Sequence, residues 1–149
     1  MTNNDILRGV RYILNVSETK LIEIIALTGF KVSTEDLSAF LKQEHEEGYK
    51  NCGDKVLSQF LDGLVIYKRG KKVNAPDQPF EISLTNNMIL KKLRVAFELK
   101  DDDIVQLIGK AGLKVSKSEL GAFFRKPDHR NYRDCGNQFL RNLLKGMAK

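Results

Sequence analysis

Apolar positions near the start of the chain recur at helical intervals. Ile6, Leu7, Val10, Ile13 and Leu14 are spaced i, i+1, i+4, i+7 and i+8, which places them on one helix face, and Ile89, Leu90, Leu93, Ala96 and Phe97 repeat the stripe. Each stripe follows an asparagine, Asn3 or Asn86, of the kind suited to an N-cap. A second apolar run opens after Ser17 in one copy and within Asp101-Asp102-Asp103 in the other, where negative charge favours a helix N-terminus, and it stops at Gly29 or Gly112. A third begins at Ser33-x-x-Asp36 and Ser116-x-x-Glu119, a capping-box spacing, and is expected to turn Phe40 and Leu41, or Phe123 and Phe124, inward. The fourth starts near Cys52-Gly53 and Cys135-Gly136. It carries Val56, Leu57, Phe60, Leu61 and Leu64, answered by Phe139, Leu140, Leu143, Leu144 and Met147. Runs of alternating polarity bounded by hairpin turns are missing, so the pattern predicts an all-α protein.

The two sets of stripes are copies. Residues 2–66 pair with residues 85–149 without a gap, and 20 of the 65 pairs are identical, far above the ~6% that composition alone gives. The expected organisation is a first helical repeat at 1–66, a linker at 67–84 and a second helical repeat at 85–149. These would form two tandem four-helix repeats packed with pseudo-two-fold symmetry. The linker holds two of the three prolines, Pro76 and Pro79, and is expected to be exposed at 70–78, with a short extended piece at 80–84.

Composition changes this picture little. At 149 residues, with 42% hydrophobic and 30% charged residues, the chain can bury a core without staples. Asp5, Arg8 and Arg11 interrupt the N-terminal apolar run as no signal peptide would allow, and Glu23 breaks the run "LIEIIALTGF" well short of a membrane span. Two cysteines do not make a disulfide framework. A cytoplasmic protein with free thiols and no membrane partner is expected.

Charge separates the copies. Residues 2–66 hold 7 Lys and Arg against 10 Asp and Glu, a net −3, whereas residues 85–149 hold 14 against 7, a net +7. The reversal centres on Gln43, Glu47, Ser58 and Asp62, whose counterparts are Lys126, Arg130, Arg141 and Lys145. Arg141 and Lys145 stand four apart on one helix face, preceded by Arg125, Lys126, Arg130 and Arg133 with Tyr132 among them. A basic loop running into a basic helix face, with an aromatic ring available for stacking, suits phosphates and unpaired bases. These seven residues are the candidate nucleic-acid-binding set. The other readings are solvated surface charge, or an acidic copy facing a basic copy within or between chains.

Other chemistry is less pointed. A helix N-terminus would lower the thiol pKa of Cys52 and Cys135, which is the basis of a thiol-enzyme reading. His45 and His129 occupy non-equivalent positions, so no Cys-His pair is duplicated, and zinc-site spacings do not occur. Neither a catalytic residue, a metal nor a cofactor is expected. Arg11 and Arg94, conserved between the copies, are expected to tie the first helix to a neighbouring carbonyl or carboxylate, with an anion site as the alternative. Tyr49 and Tyr132 should pin the loop to the core. A helix-turn-helix can be sought around Gly29 and Gly112, but the turn there is long for that motif.

The stretches "TNNMILKKLRVAFELKDDDI", "CGDKVLSQFLDGLVIYKRGK" and "PDHRNYRDCGNQFLRNLL" resemble the YehS family, bacterial proteins of unknown function, and the likeness spans essentially the whole chain. The resemblance implies a small bacterial cytosolic protein with a duplicated domain. It brings no activity, substrate or catalytic residue with it. The expected function is therefore a non-enzymatic binding module contacting RNA or DNA phosphates through the basic second repeat. A protein-interaction or self-association module is the alternative, and a thiol-based enzyme the third.

Overall fold

The computed structural model describes residues 1–70 and 83–149. Their regular structure is helical throughout: α1 (Asn3–Leu14), α2 (Glu18–Ala26), α3 (Thr34–Leu41), α4 (Asp54–Arg69), α5 (Asn86–Ala96), α6 (Asp101–Lys110), α7 (Lys117–Phe123) and α8 (Asn137–Met147). The chain divides into two compact units, Met1–Leu84 with α1 to α4 and Thr85–Lys149 with α5 to α8. The fourth helix of the first unit continues past residue 66 to Arg69 and ends at Gly70, whose φ of 82° suits a residue without Cβ. Residues 80–82 of the expected extended piece and 71–78 of the expected exposed stretch lie outside the described residues.

Short polar side chains decide where the helices start. The caps of α1 and α5 are Thr2 and Thr85, one residue earlier than the asparagines suggested, because each threonine hydroxyl accepts the N–H three residues on. Asp5 returns the bond to the Thr2 N–H and closes a capping box, which Met88 cannot do in the second copy. Ser17, Ser33 and Ser116 cap α2, α3 and α7 through the N–H groups of Lys20, Asp36 and Glu119. Each acid of the run at α6 has a charged or polar neighbour: Asp103 accepts the Lys100 N–H, Asp102 pairs with Lys117 at 2.7 Å, and Asp101 lies 3.0 Å from Arg94.

The recurring arginines act as tethers. Arg11 donates through Nε to the Val16 carbonyl at 3.1 Å, while Arg94 pairs with the Asp101 carboxylate and lies over the Phe124 ring at 4.5 Å. One copy thus uses a carbonyl and the other a carboxylate to fold the first helix back onto the chain that follows it.

Each unit buries its stripes in the same way. In the first, Leu7, Leu21, Ile25, Leu37, Leu57, Phe60, Leu61 and Leu64 are fully buried. In the second, Leu90, Ile104, Ile108, Leu120, Cys135, Phe139 and Leu143 form the core, with Phe123 meeting Phe139 edge to face at 4.9 Å. Burying each of these large side chains contributes roughly 1.5–3 kcal/mol, which dwarfs any single surface pair. The α2–α4 and α6–α8 crossings are tight enough to exclude a methyl group. A Cβ on Gly63 would lie 2.1 Å from the Ile24 carbonyl oxygen, and one on Gly146 would lie 2.1 Å from the equivalent oxygen of Leu107.

Candidate functional site

The loop that precedes the last helix of each unit is hung from one buried asparagine. Asn4, fully buried, donates both amide hydrogens, to the carbonyls of Phe40 and Lys50, each at 2.9 Å, and accepts the Cys52 N–H at 3.0 Å. Asn87 does the same with Phe123, Arg133 and Cys135 at 3.0, 2.8 and 2.8 Å. The preceding residues, Asn3 and Asn86, reach the carbonyls of Cys52 and Cys135 and the side chains of Asp54 and Asn137. Both donors and the acceptor of the inner amide are satisfied, so the end of the third helix, the loop and the start of the fourth are locked to the first helix.

On that scaffold the second unit forms an open groove of about 490 Å³ between α7 and the loop. It is lined by Ser118, Glu119 and Ala122 on one side and by Arg125, Arg130, Asn131, Tyr132 and Arg133 on the other. Four of the seven residues proposed from sequence therefore come together: Arg125, Arg130, Tyr132 and Arg133. Lys126 is exposed in the same loop without lining the groove, and Arg141 and Lys145 are exposed on α8, where Arg141 donates to Gln138 at 2.9 Å. Ser118, Glu119, Ala122 and Asn131 were not singled out in the sequence, since nothing local marks a loop residue as facing a helix across a hollow.

Electrostatics within the groove are asymmetric. Among the described residues, the guanidiniums of Arg125, Arg130 and Arg133 hold no hydrogen bond or ion pair. Glu119 is the one carboxylate in the lining, and it is occupied by the Ser116 hydroxyl at 3.1 Å instead of by an arginine. Tyr132 is half-buried; desolvation first, and then a hydrogen bond to the Asp134 carboxylate, push its phenol up, so the ring stays neutral.

At the same location in the first unit the cations are engaged by the chain itself. Lys42, the counterpart of Arg125, donates Nζ to the Glu47 carbonyl at 2.9 Å and lies where any Cβ at Gly48 would be, 2.7 Å away. Lys50, the counterpart of Arg133, pairs with Asp36 at 3.0 Å. Gly48 has a φ of 86°, which lets the loop curl over Lys42; Asn131 takes that place in the second unit without a positive φ. Three differences free the cations of the second unit: an arginine at 125 in place of Lys42, an arginine in place of Glu47, and a carboxylate at 119 that turns to its own cap where Asp36 pairs with Lys50.

The cysteines do not behave as the sequence suggested. Both thiols point into the core, towards the carbonyls of Gly53 and Gly136 at 3.7 and 3.6 Å, and burial pushes each up to about 12, with the Asp54 carboxylate adding to the effect at Cys52. Desolvation outweighs the helix N-terminus: at Cys52 the Leu57 N–H pulls the value down, but by less than burial raises it, and at Cys135 burial alone acts. A thiol held that high is protonated near neutral pH, the opposite of the lowered value that the helix start suggested. His129 accepts the Asn131 N–H at 3.0 Å through Nδ1, a local turn contact and not a pairing with Asp128. The segments from 27 to 33 and from 111 to 116 that join the second and third helices of each unit exceed the three or four residues of a helix-turn-helix.

A duplicated helical unit whose interior is common and whose loop surface has diverged is the class of protein this defines. The chain belongs to the family described as "Protein of unknown function (DUF1456)", which matches it twice, at residues 3–70 and 86–149. It is 47% identical over 148 residues to the uncharacterized protein YehS of Escherichia coli (strain K12), covering 99% of this chain and 95% of that protein. No solved structure matches it. Among the described residues no helix is long and apolar enough to cross a membrane.

Proposed function

We propose that the protein is a non-enzymatic binding module whose second unit holds nucleic-acid phosphates in the groove between α7 and the loop at 125–133. The observation that carries this reading is the set of three arginines, Arg125, Arg130 and Arg133, that line one hollow and have no internal partner among the described residues. A guanidinium presents a planar fork of donors that fits a phosphate two bonds at a time, and releasing condensed counterions drives the association. The net +7 of residues 85–149 supports encounter with a polyanion, and the net −3 of residues 2–66 keeps the first unit from competing for it.

Mobility shift of labelled RNA and DNA across a salt series tests it. The wild-type log K should fall linearly with log salt, and the variant Arg125→Glu/Arg130→Glu/Arg133→Glu should bind at least about a hundredfold more weakly with a slope reduced by about 2–3. Arg141→Glu/Lys145→Glu lies outside the groove and should cost less. Retained affinity in the groove variant rejects the reading.

Self-association has one observation in its favour: the first-unit loop carries Glu44, Glu46 and Glu47 exposed, a surface complementary to the arginine groove of another copy. A larger particle at low salt than at high salt in sizing experiments would favour it.

A further inference from the structure

The groove's two walls differ in chemistry, and the difference says what can enter. Arginines line one wall, while the other carries the Glu119 carboxylate, and Tyr132 shares the lining with the arginines. A phosphate is repelled by Glu119 and drawn to Arg125, Arg130 and Arg133. A nucleobase has no such conflict: its face stacks on a phenol ring or a guanidinium plane, and its exocyclic amino group can donate to a carboxylate. The volume of about 490 Å³ falls inside the roughly 300–1,000 Å³ of ordinary small-ligand sites, so there is space for a base beside the arginines.

We infer that the groove takes a single-stranded segment, with backbone phosphates on Arg125, Arg130 and Arg133 and one unpaired base turned inward against Tyr132 and Glu119. This rests on the phosphate-binding reading above and narrows it. A duplex keeps its bases stacked and paired inside, so it offers only its outer phosphates to the arginines and leaves the tyrosine unused. The first unit shows what the groove needs: it keeps an equivalent tyrosine, Tyr49, but there Lys42 is bonded to the Glu47 carbonyl and Lys50 is paired with Asp36, so the cations beside it are already engaged. Aromatic character alone is not the device; an open cationic wall beside the ring is.

Single strands and duplexes of equal length and mixed sequence, compared at one salt concentration by fluorescence anisotropy with the full chain, test the inference. The single strand is expected to bind about tenfold tighter or better. Tyr132→Leu should lose about tenfold on the single strand, with duplex binding unchanged, and Tyr132→Phe should retain it, since stacking on an aromatic face contributes on that order. Equal binding of single strand and duplex, or equal loss on both with Tyr132→Leu, overturns the single-strand inference and leaves the phosphate reading standing. Binding to neither overturns both. The wild-type comparison decides the matter even where Tyr132→Leu fails to fold, and unchanged thermal melting of Tyr132→Phe excludes a structural origin for its result.

Discussion

In the first unit Lys42 folds over its own loop and Lys50 pairs with Asp36; in the second, Arg125 and Arg133 stand in those places with no partner among the described residues. Beneath these loops the units are built alike, down to the asparagine amide that holds each one and the glycine that lets the last helix touch the second. The comparison separates what the fold requires from what a copy is free to change. Hydrogen bonds to buried backbone and helix crossings too close for a Cβ are retained because their loss is expensive. Charges on a loop change sign at small cost, since exposed pairs contribute at most about 1 kcal/mol.

The sharpest way to break the equivalence is at the buried amides. Asn4→Leu leaves the carbonyls of Phe40 and Lys50 and the N–H of Cys52 without partners, so it should destabilise by about 3 kcal/mol or more, read as a lower urea midpoint with an unchanged slope. Asn87→Leu should cost somewhat less, because that residue is 9% exposed and water can reach part of the vacated site. The two variants should differ in function as well. Asn87 holds the carbonyl of Arg133 beside the groove, so its loss should weaken nucleic-acid binding by the folded protein, whereas the Asn4 change should leave it as it was. Equal effects on binding would mean that the groove does not depend on its own clamp.

The glycine contacts come next. Gly63→Ala and Gly146→Ala each force a methyl group onto a carbonyl oxygen at 2.1 Å, and backbone cannot swing aside as a side chain can, so each should cost about 1–3 kcal/mol despite the better helix propensity of alanine. Gly109 supplies the control: it sits in the exposed part of α6 with open space around it, and Gly109→Ala should stabilise by up to about 1 kcal/mol. Thermal melts of the three variants side by side separate propensity from packing.

Much of this architecture was legible in the chain, and the exceptions share a physical cause. Helical stripes, serine caps and the tethering role of Arg11 and Arg94 are local features, set by residues within about seven positions of one another. The asparagine clamp spans 36 to 48 residues, so spacing alone gave Asn3 and Asn86 the commoner role of caps and left the inner amides unread. Gly63 and Gly146 read as weak helix residues, although their recurrence at one register position in both copies was a usable signal for a close crossing. The candidate basic set mixed groove residues with α8 residues because net charge does not report direction. At the cysteines two readings compete, a thiol activated by a helix start and a small buried core residue, and both side chains are buried.

The smallest difference lies at the first turn, and it has a pH signature. Partial burial works to raise the Asp5 carboxyl, yet hydrogen bonds from Thr2 and the neighbouring Arg8 guanidinium outweigh it and hold the group below its ordinary value. A carboxyl whose folded pKa is depressed stabilises above the unfolded value of about 3.9 and loses that contribution as pH falls through the folded value. Asp5→Ala should therefore cost on the order of 0.5–1 kcal/mol at neutral pH, a typical figure for a cap on an exposed helix end. The gap between wild type and variant should shrink below about pH 4 and vanish under the folded pKa. Met88 occupies the equivalent position with no charge to titrate, so Met88→Ala should show a difference that does not vary with pH over the same range. A wild-type advantage over Asp5→Ala that stayed constant down to strong acid would place the stabilisation in packing of the Asp5 side chain and not in its charge.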